Sequence, residues 1–326
     1  MLIGLSTGLR VRESKMIKNI FKKSYFLGLI LLLFAVVFFY GKYYQQVQRT
    51  VVLRVSMEKA KVDYDLAVAM EYMRYIFHKN GYKVYETKYP GDFYFNEADD
   101  AKINVFVRGY KPFIDLRLKP SAFNVYFMHR FTDLYAVEFN GFDYFLYSQH
   151  NFMNYTEARG YALKGEYFAG GAVPHEILKP DYKYDVLYIY EYAAPEYEDI
   201  VYEYNNHKIY GGIAFAKLSK QEREQELARA KTVVYFSGFF NGDDENYIPY
   251  AVYDIISYGR PLVTNLRESL VQKFGDDVYL FDSADGFRNA LNNALHEDDK
   301  KREEKALHAR KKMFDNDEAE LFGFIK

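Results

Sequence analysis

The chain has no cysteine, no tryptophan, only 8 prolines and almost no net charge. Without cysteine there is no disulfide, no thiolate nucleophile and no cysteine-ligated zinc. The compartment stays open, because reducing and oxidising environments both tolerate a cysteine-free protein. A net charge of −2 over 326 residues gives no general attraction to nucleic acid or acidic lipid, so no nucleic-acid partner is expected. There is no Walker loop, no GxGxxG and no HExxH. No close pair of histidines suggests a metal, and neither a metal nor a bound cofactor is expected. What is abundant is tyrosine and phenylalanine, 34 and 28 residues. Both fill cores and favour strands, which indicates a folded, strand-containing protein.

One segment carries no charge: YFLGLILLLFAVVFFYG, Tyr25 to Gly41, between Lys22-Lys23 and Lys42. About 17 residues at 1.5 Å each just cover a hydrocarbon core of roughly 30 Å. Tyr25, Phe38, Phe39, Tyr40, Tyr43 and Tyr44 supply interfacial aromatics at its ends. A signal peptide would share the basic lead, but FFYGKYYQQ offers no small-residue cleavage pattern, so an uncleaved anchor over 24–41 is expected. Arg10, Arg12, Lys15, Lys18, Lys22 and Lys23 precede it, against Lys42, Arg49 and Arg54 after it. This bias puts residues 1–23 in the cytoplasm and the rest outside, the periplasmic side of a bacterial inner membrane. Met1 and Met16 both open a basic leader, and either could be the start.

Residues 42–60 are polar and read as a stalk. Val62 to Tyr82 has Leu66, Met70, Met73 and Ile76-Phe77 at helical spacing and stops at Asn80-Gly81. Asp63-Tyr64-Asp65 matches a metal-binding Asp-x-Asp by pattern, but at a helix start it reads as capping. Lys83–Glu86, Lys102–Gly109, Phe123–His129 and Phe142–Ser148 read as strands. Two bends, AGGAVPHE and LKPDYK, mark a linker over 166–183. Beyond it strands and helices alternate: DVLYIYE, PEYEDIVYEYN, HKIYGGIAF, SKQEREQELARA, TVVYFSGF, YIPYAVYDIISYG, RPLVTNL, RESLVQKFG, DVYLFDS and ADGFRNALNNAL. Such alternation gives βαβ units and a parallel, doubly wound sheet. The charged run from Glu297 reads as a helix face in solvent.

The stretch IPYAVYDIISYGRPLVTNLRESLVQKFGDDVYLFDSADGFRNAL resembles the C-terminal, donor-binding domain of GT-B glycosyltransferases of the group 1 or CgeB-like type. Such enzymes carry Pro-x-Arg-x-(aromatic)-Asp/Glu five residues before Gly-x-Pro. By position Asp254 takes the place of their ligand-contacting acid, and Gly259 and Pro261 take the turn. YFAGGAVPHEILKP looks like their interdomain linker, and the first half is more weakly similar to their N-terminal Rossmann domain. The resemblance implies an α/β chain of two Rossmann-like domains: 61–165, then 184–296 after the linker, with a helical tail over 297–326.

The resemblance has a gap. Ala251 stands where those enzymes have arginine, a planar and permanently charged donor suited to phosphate. Relatives with two glutamates eight apart fare no better here, because the position eight before Asp254 is Asn246, with Glu245 beside it. The loops after the strands, around Ser237–Asn246, Thr264–Ser269 and Asp282–Gly286, are where a ligand of an open α/β sheet would sit. The resemblance assigns donor contacts to Ser237, Glu245, Asp254, Gly259, Asn265 and Arg267, with Arg267 the best substitute for the missing arginine. The acids near Glu245 also suit plain helix capping. His129 or Asp133 could act as base, although a strand-end polar residue held by local hydrogen bonds is the favoured reading of His129.

These residues leave two expectations. One is a membrane-anchored, non-catalytic glycosyltransferase-like scaffold or binding protein of the cell envelope, with protein partners meeting Tyr-rich segments such as VLYIYEYAAPEYEDIVYEY. The other is an active, metal-independent enzyme moving a sugar from a nucleotide-sugar donor substrate to a glycan, lipid or protein.

Overall fold

The computed structural model describes residues 28–42, 49–55, 62–88, 102–107, 122–129, 142–149, 151–158, 164–168, 170–238 and 246–315. The chain divides into two compact units, Met1–Arg49 and Thr50–Lys326. In the first, residues 28–42 form a helix with exposed Leu29, Leu31–Leu33, Phe34 and Val36–Tyr40. Among the described residues no helix is long and apolar enough to cross a membrane. Residues 24–27 of the expected anchor lie outside the described residues.

The second unit holds two sheets. Strands β1 (Thr50–Val55), β2 (Lys83–Lys88), β3 (Ile103–Val107), β4 (Phe123–Met128), β5 (Tyr144–Tyr147) and β6 (Gly165–Tyr167) form the first, in the order β2-β1-β3-β4-β5-β6. Strands β7 (Tyr184–Tyr190), β8 (His207–Gly211), β9 (Ala230–Phe236), β10 (Leu262–Asn265) and β11 (Tyr279–Phe281) form the second, in the order β11-β10-β9-β7-β8. Every pairing is parallel. Counted within each half, both sheets run 2-1-3-4-5, with β6 added at the edge of the first. Each sheet therefore reverses direction once, between β1 and β3 and between β7 and β9. Ligands of open α/β sheets sit beyond the strand ends at such reversals.

Strand β1 corrects the expected stalk, since Thr50–Val55 falls inside 42–60. TVVLRV is apolar at four of its six positions, as suits a strand flanked on both edges and buried in a parallel sheet. β6 likewise carries the first sheet into the start of the expected linker. In HKIYGGIAF the strand stops at Gly211, and Gly212–Lys217 turns into a helix.

The helices that position the cleft are α1 (Tyr64–Lys79), α2 (Asn151–Ala158), α3 (Pro195–Tyr202), α4 (Gly212–Lys217), α5 (Lys220–Arg229), α6 (Tyr250–Ser257), α7 (Glu268–Phe274), α8 (Ala284–His296) and α9 (Asp299–Asp315). The charged tail is amphipathic, not wholly solvated: Arg302, Ala306, Ala309 and Met313 of α9 are buried. Helices α1 and α6 lie against each other across the two sheets, within one hydrophobic core that draws residues from both. The segment joining the halves passes close to both helices. A Cβ on Gly170 would stand 2.3 Å from the Tyr253 ring, and one on Gly171 would stand 2.4 Å from the Tyr72 ring. Only glycine fits there.

Candidate functional site

The two halves meet where the segments that leave the ends of β1, β4, β7, β9 and β10 come together. Helix α1 begins after β1, and its first turn is capped by Asp63, whose Oδ1 accepts from the Leu66 N–H at 2.9 Å. The capping reading of Asp-x-Asp therefore holds for its first acid. The next two residues do something else.

The Tyr64 hydroxyl donates to Asp254 Oδ2 at 2.6 Å, and Asp254 Oδ1 lies 3.1 Å from His175 Nε2. His175 comes from the segment between the halves and stacks flat on Tyr258, with ring centroids 4.0 Å apart. His175 is buried, held also by Arg310, whose Nη2 donates to its carbonyl. Asp254 is only 3% exposed. Burial, and next the Asp254 charge, push the Tyr64 phenol well above its ordinary pKa, so it stays a donor.

Asp65 points at the start of α6. Its Oδ1 accepts from the Ala251 N–H at 2.9 Å, its Oδ2 accepts from the Tyr247 hydroxyl at 2.6 Å, and His129 Nε2 lies 3.2 Å away. Helix α6 has Pro249 at its N-cap and no side-chain cap of its own, so Asp65 supplies that cap from the other half of the molecule. Burial alone would raise the Asp65 carboxyl. The contacts from His129, Tyr247 and Ala251 outweigh it and hold the group below its ordinary value. In the opposite direction, the Asp65 N–H in the first turn of α1 donates to Glu191 Oε1, just beyond β7, at 3.2 Å. The Tyr235 hydroxyl also donates to Glu191. Each of the two facing helices thus receives a carboxylate from the opposite half.

The expected donor-site residues divide into three groups. Ser237, Asn265 and Arg267 come together at the ends of β9 and β10. Asn265 Oδ1 accepts from the Ser237 N–H and hydroxyl at 3.2 and 3.1 Å, and Arg267 Nη2 donates to Ser237 Oγ at 3.2 Å. The Arg267 guanidinium lies over the Tyr247 ring, 5.6 Å from its centroid, which joins this group to Asp65. His129 is at the end of β4 and belongs to the same run of contacts. Asp254 lies in mid-helix on the face turned toward Tyr64, and Gly259 closes the far end of α6. Asp133 and Glu245 lie outside the described residues. Ala251, at the expected arginine position, is fully buried, so a guanidinium there would have to displace its neighbours.

Sequence reading gave Asp65 a capping role only and missed Tyr64, Glu191 and Tyr247 altogether. Their partners are far away along the chain, 190 residues for Tyr64–Asp254 and 182 for Tyr247–Asp65, so no local spacing reveals them. Among the described residues no group of three or more His, Asp or Glu is arranged to hold a metal ion.

No protein-family model and no curated protein matches the chain. Solved structures do. An alpha-glucosyltransferase in complex with UDP and a 13-mer DNA containing an HMU base superposes with a TM-score of 0.59 at 8% identity, over 82% of this chain and 95% of that one. The same enzyme type in complex with UDP gives 0.54 at 10% identity, over 81% and 95%. The fold is that of GT-B glycosyltransferases. At such identity the likeness establishes the two-sheet GT-B architecture and nothing about the reaction.

Proposed function

We propose that this chain is a non-catalytic, membrane-anchored protein that uses the GT-B fold as a scaffold or binding module in the cell envelope. The observation that supports it best is the Asp65 carboxylate on the Ala251 N–H. The start of a helix at a strand-end cleft is a ready place for an anion. In this chain that position is filled by its own acid, and a second acid, Glu191, fills the facing helix start. A donor diphosphate would meet the buried Asp65 carboxylate, the half-buried Glu191 carboxylate and no arginine at position 251.

The anchor rests on the apolar run Tyr25 to Gly41 and the exposed apolar side chains over 28–42. A periplasmic main domain is what the basic flank favours, and it would separate the cleft from cytoplasmic nucleotide sugars. For protein partners, Tyr147, Tyr188 and Tyr197 of the Tyr-rich segments are buried, Tyr144, Tyr190, Tyr192 and Tyr204 are half-buried, and Tyr202 is exposed.

The alternative, an active glycosyltransferase, is favoured by one arrangement: Ser237, Asn265 and Arg267 converge beside Tyr247 and His129 where a donor and a base would be needed. Isothermal titration of the full chain with UDP and GDP separates the two. The scaffold reading expects no heat of binding up to millimolar nucleotide. Micromolar binding, or sugar-nucleotide hydrolysis lost in Arg267→Ala, would overturn it. A reporter fused to the C-terminus tests the topology, and a cytoplasmic signal would remove the periplasmic assignment.

A further inference from the structure

The two acids at the α1–α6 contact sit in matching surroundings. Asp254 accepts from Tyr64 at 2.6 Å and faces His175 at 3.1 Å; Asp65 accepts from Tyr247 at 2.6 Å and faces His129 at 3.2 Å. In each triplet the tyrosine comes from the opposite half of the molecule. Tyr64 and Asp65 are consecutive at the start of α1, so the same turn gives a hydroxyl to the second half and takes one back. Ala251 and Glu191 add one backbone bond in each direction. Further out, Arg223 of α5 faces Glu71 of α1 at 3.4 Å.

Halves of a chain joined through an ordinary interface move against each other by default. This interface differs because its carboxylates are buried and receive their tyrosine hydroxyls only while the halves are closed. Asp65, Asp254, His129 and His175 are all under a tenth exposed. Partial opening would leave a desolvated carboxylate without the hydroxyl from the opposite half, a worse state than either fully closed or fully solvated. The network therefore favours all-or-none closure.

We propose that these reciprocal Tyr–Asp–His triplets form a lock that holds the two halves closed with no ligand between them. The lock concerns how the halves are held, not whether the cleft reacts. Binding of UDP or GDP in the isothermal titration would therefore overturn the non-catalytic reading and leave the lock standing.

The absence of cysteine makes a direct test simple. Spin labels on Asn154→Cys of α2 and Asp285→Cys of α8, both exposed and on opposite halves, report cleft width by pulsed electron resonance in the full chain. Without ligand the distance distribution is expected to be narrow and single. A broad or two-peaked distribution overturns the lock. Tyr64→Phe with Tyr247→Phe removes only two hydroxyls; each bond to a charged group accounts for roughly tenfold or more in an equilibrium. The narrow peak should then give way to a wider, longer distribution while far-ultraviolet circular dichroism keeps its native shape. A narrow peak surviving in that folded double variant also overturns the lock. Should the double variant fail to fold, Tyr247→Phe alone is read by the same criterion.

Discussion

Tyr64 and Asp254, 190 residues apart, share a buried 2.6 Å hydrogen bond that ties the first turn of α1 to the middle of α6. The sequence resemblance gives Asp254 the place of a ligand-contacting acid; in the structure one of its oxygens is taken by Tyr64 and the other faces His175. Removing the hydroxyl in Tyr64→Phe leaves the ring packed against Phe215 and Tyr235, so the change isolates the bond. A hydrogen bond to a buried charge contributes about 1.5–3 kcal/mol. Urea unfolding is expected to show that loss as a lower midpoint with an unchanged slope.

Asp254→Ala is expected to act on stability and not on nucleotide affinity. It strands the Tyr64 hydroxyl and the His175 ring in a buried site, and a buried polar group left without its partner costs about 1–3 kcal/mol. Thermal unfolding with and without UDP checks this. A nucleotide-induced rise in Tm for the wild type that vanishes in the variant would return Asp254 to ligand contact.

How much of this could be read in advance depends on the range of each interaction. The alternation of strands and helices after Tyr184 is local, and it gave the second sheet nearly element by element. Gly259 was legible for the same reason, since a glycine between a hydrophobic helix and Arg-Pro is a short-range stop signal. β1 was missed because TVVLRV is a short stretch set among polar residues, and its neighbours β2 and β3 come later in the chain. The site was legible as a position but not as a state. The missing arginine at Ala251 is visible in the sequence; the carboxylate that Asp65 brings to that same residue's N–H requires both halves to be folded together.

Gly259 itself gives a clean test of the helix stop. Its N–H donates to the Ile256 carbonyl at 2.8 Å and the Arg260 N–H donates to the Ile255 carbonyl at 3.4 Å, the paired bonds of a Schellman end. Its φ is +69°, and an added Cβ would stand 3.3 Å from Ile177 and Leu307 side-chain carbons. Gly259→Ala is expected to cost about 1–2 kcal/mol from the left-handed backbone alone. Chemical denaturation checks it, and an unchanged midpoint would mean that the turn relaxes into another conformation.

The depressed pKa of Asp65 makes a prediction about acid. A carboxyl whose folded pKa lies below its unfolded value contributes stability above the unfolded value and loses it as pH falls through the folded one. Because the Asp65 carboxyl is held below its ordinary 3.8, its contribution should be full near neutral pH and fade only in strong acid. In Asp65→Asn the amide oxygen can still accept one bond, from Ala251 or from Tyr247, but the charge facing His129 is gone. The stability difference between wild type and variant is therefore expected to be level above about pH 5 and to shrink as pH drops below roughly 4. Denaturant titrations at intervals from pH 7 to pH 3 measure that difference directly. A gap that widens in acid would mean that Asp65 is protonated in the folded protein, and that the α6 start is capped by a neutral acid instead of a carboxylate.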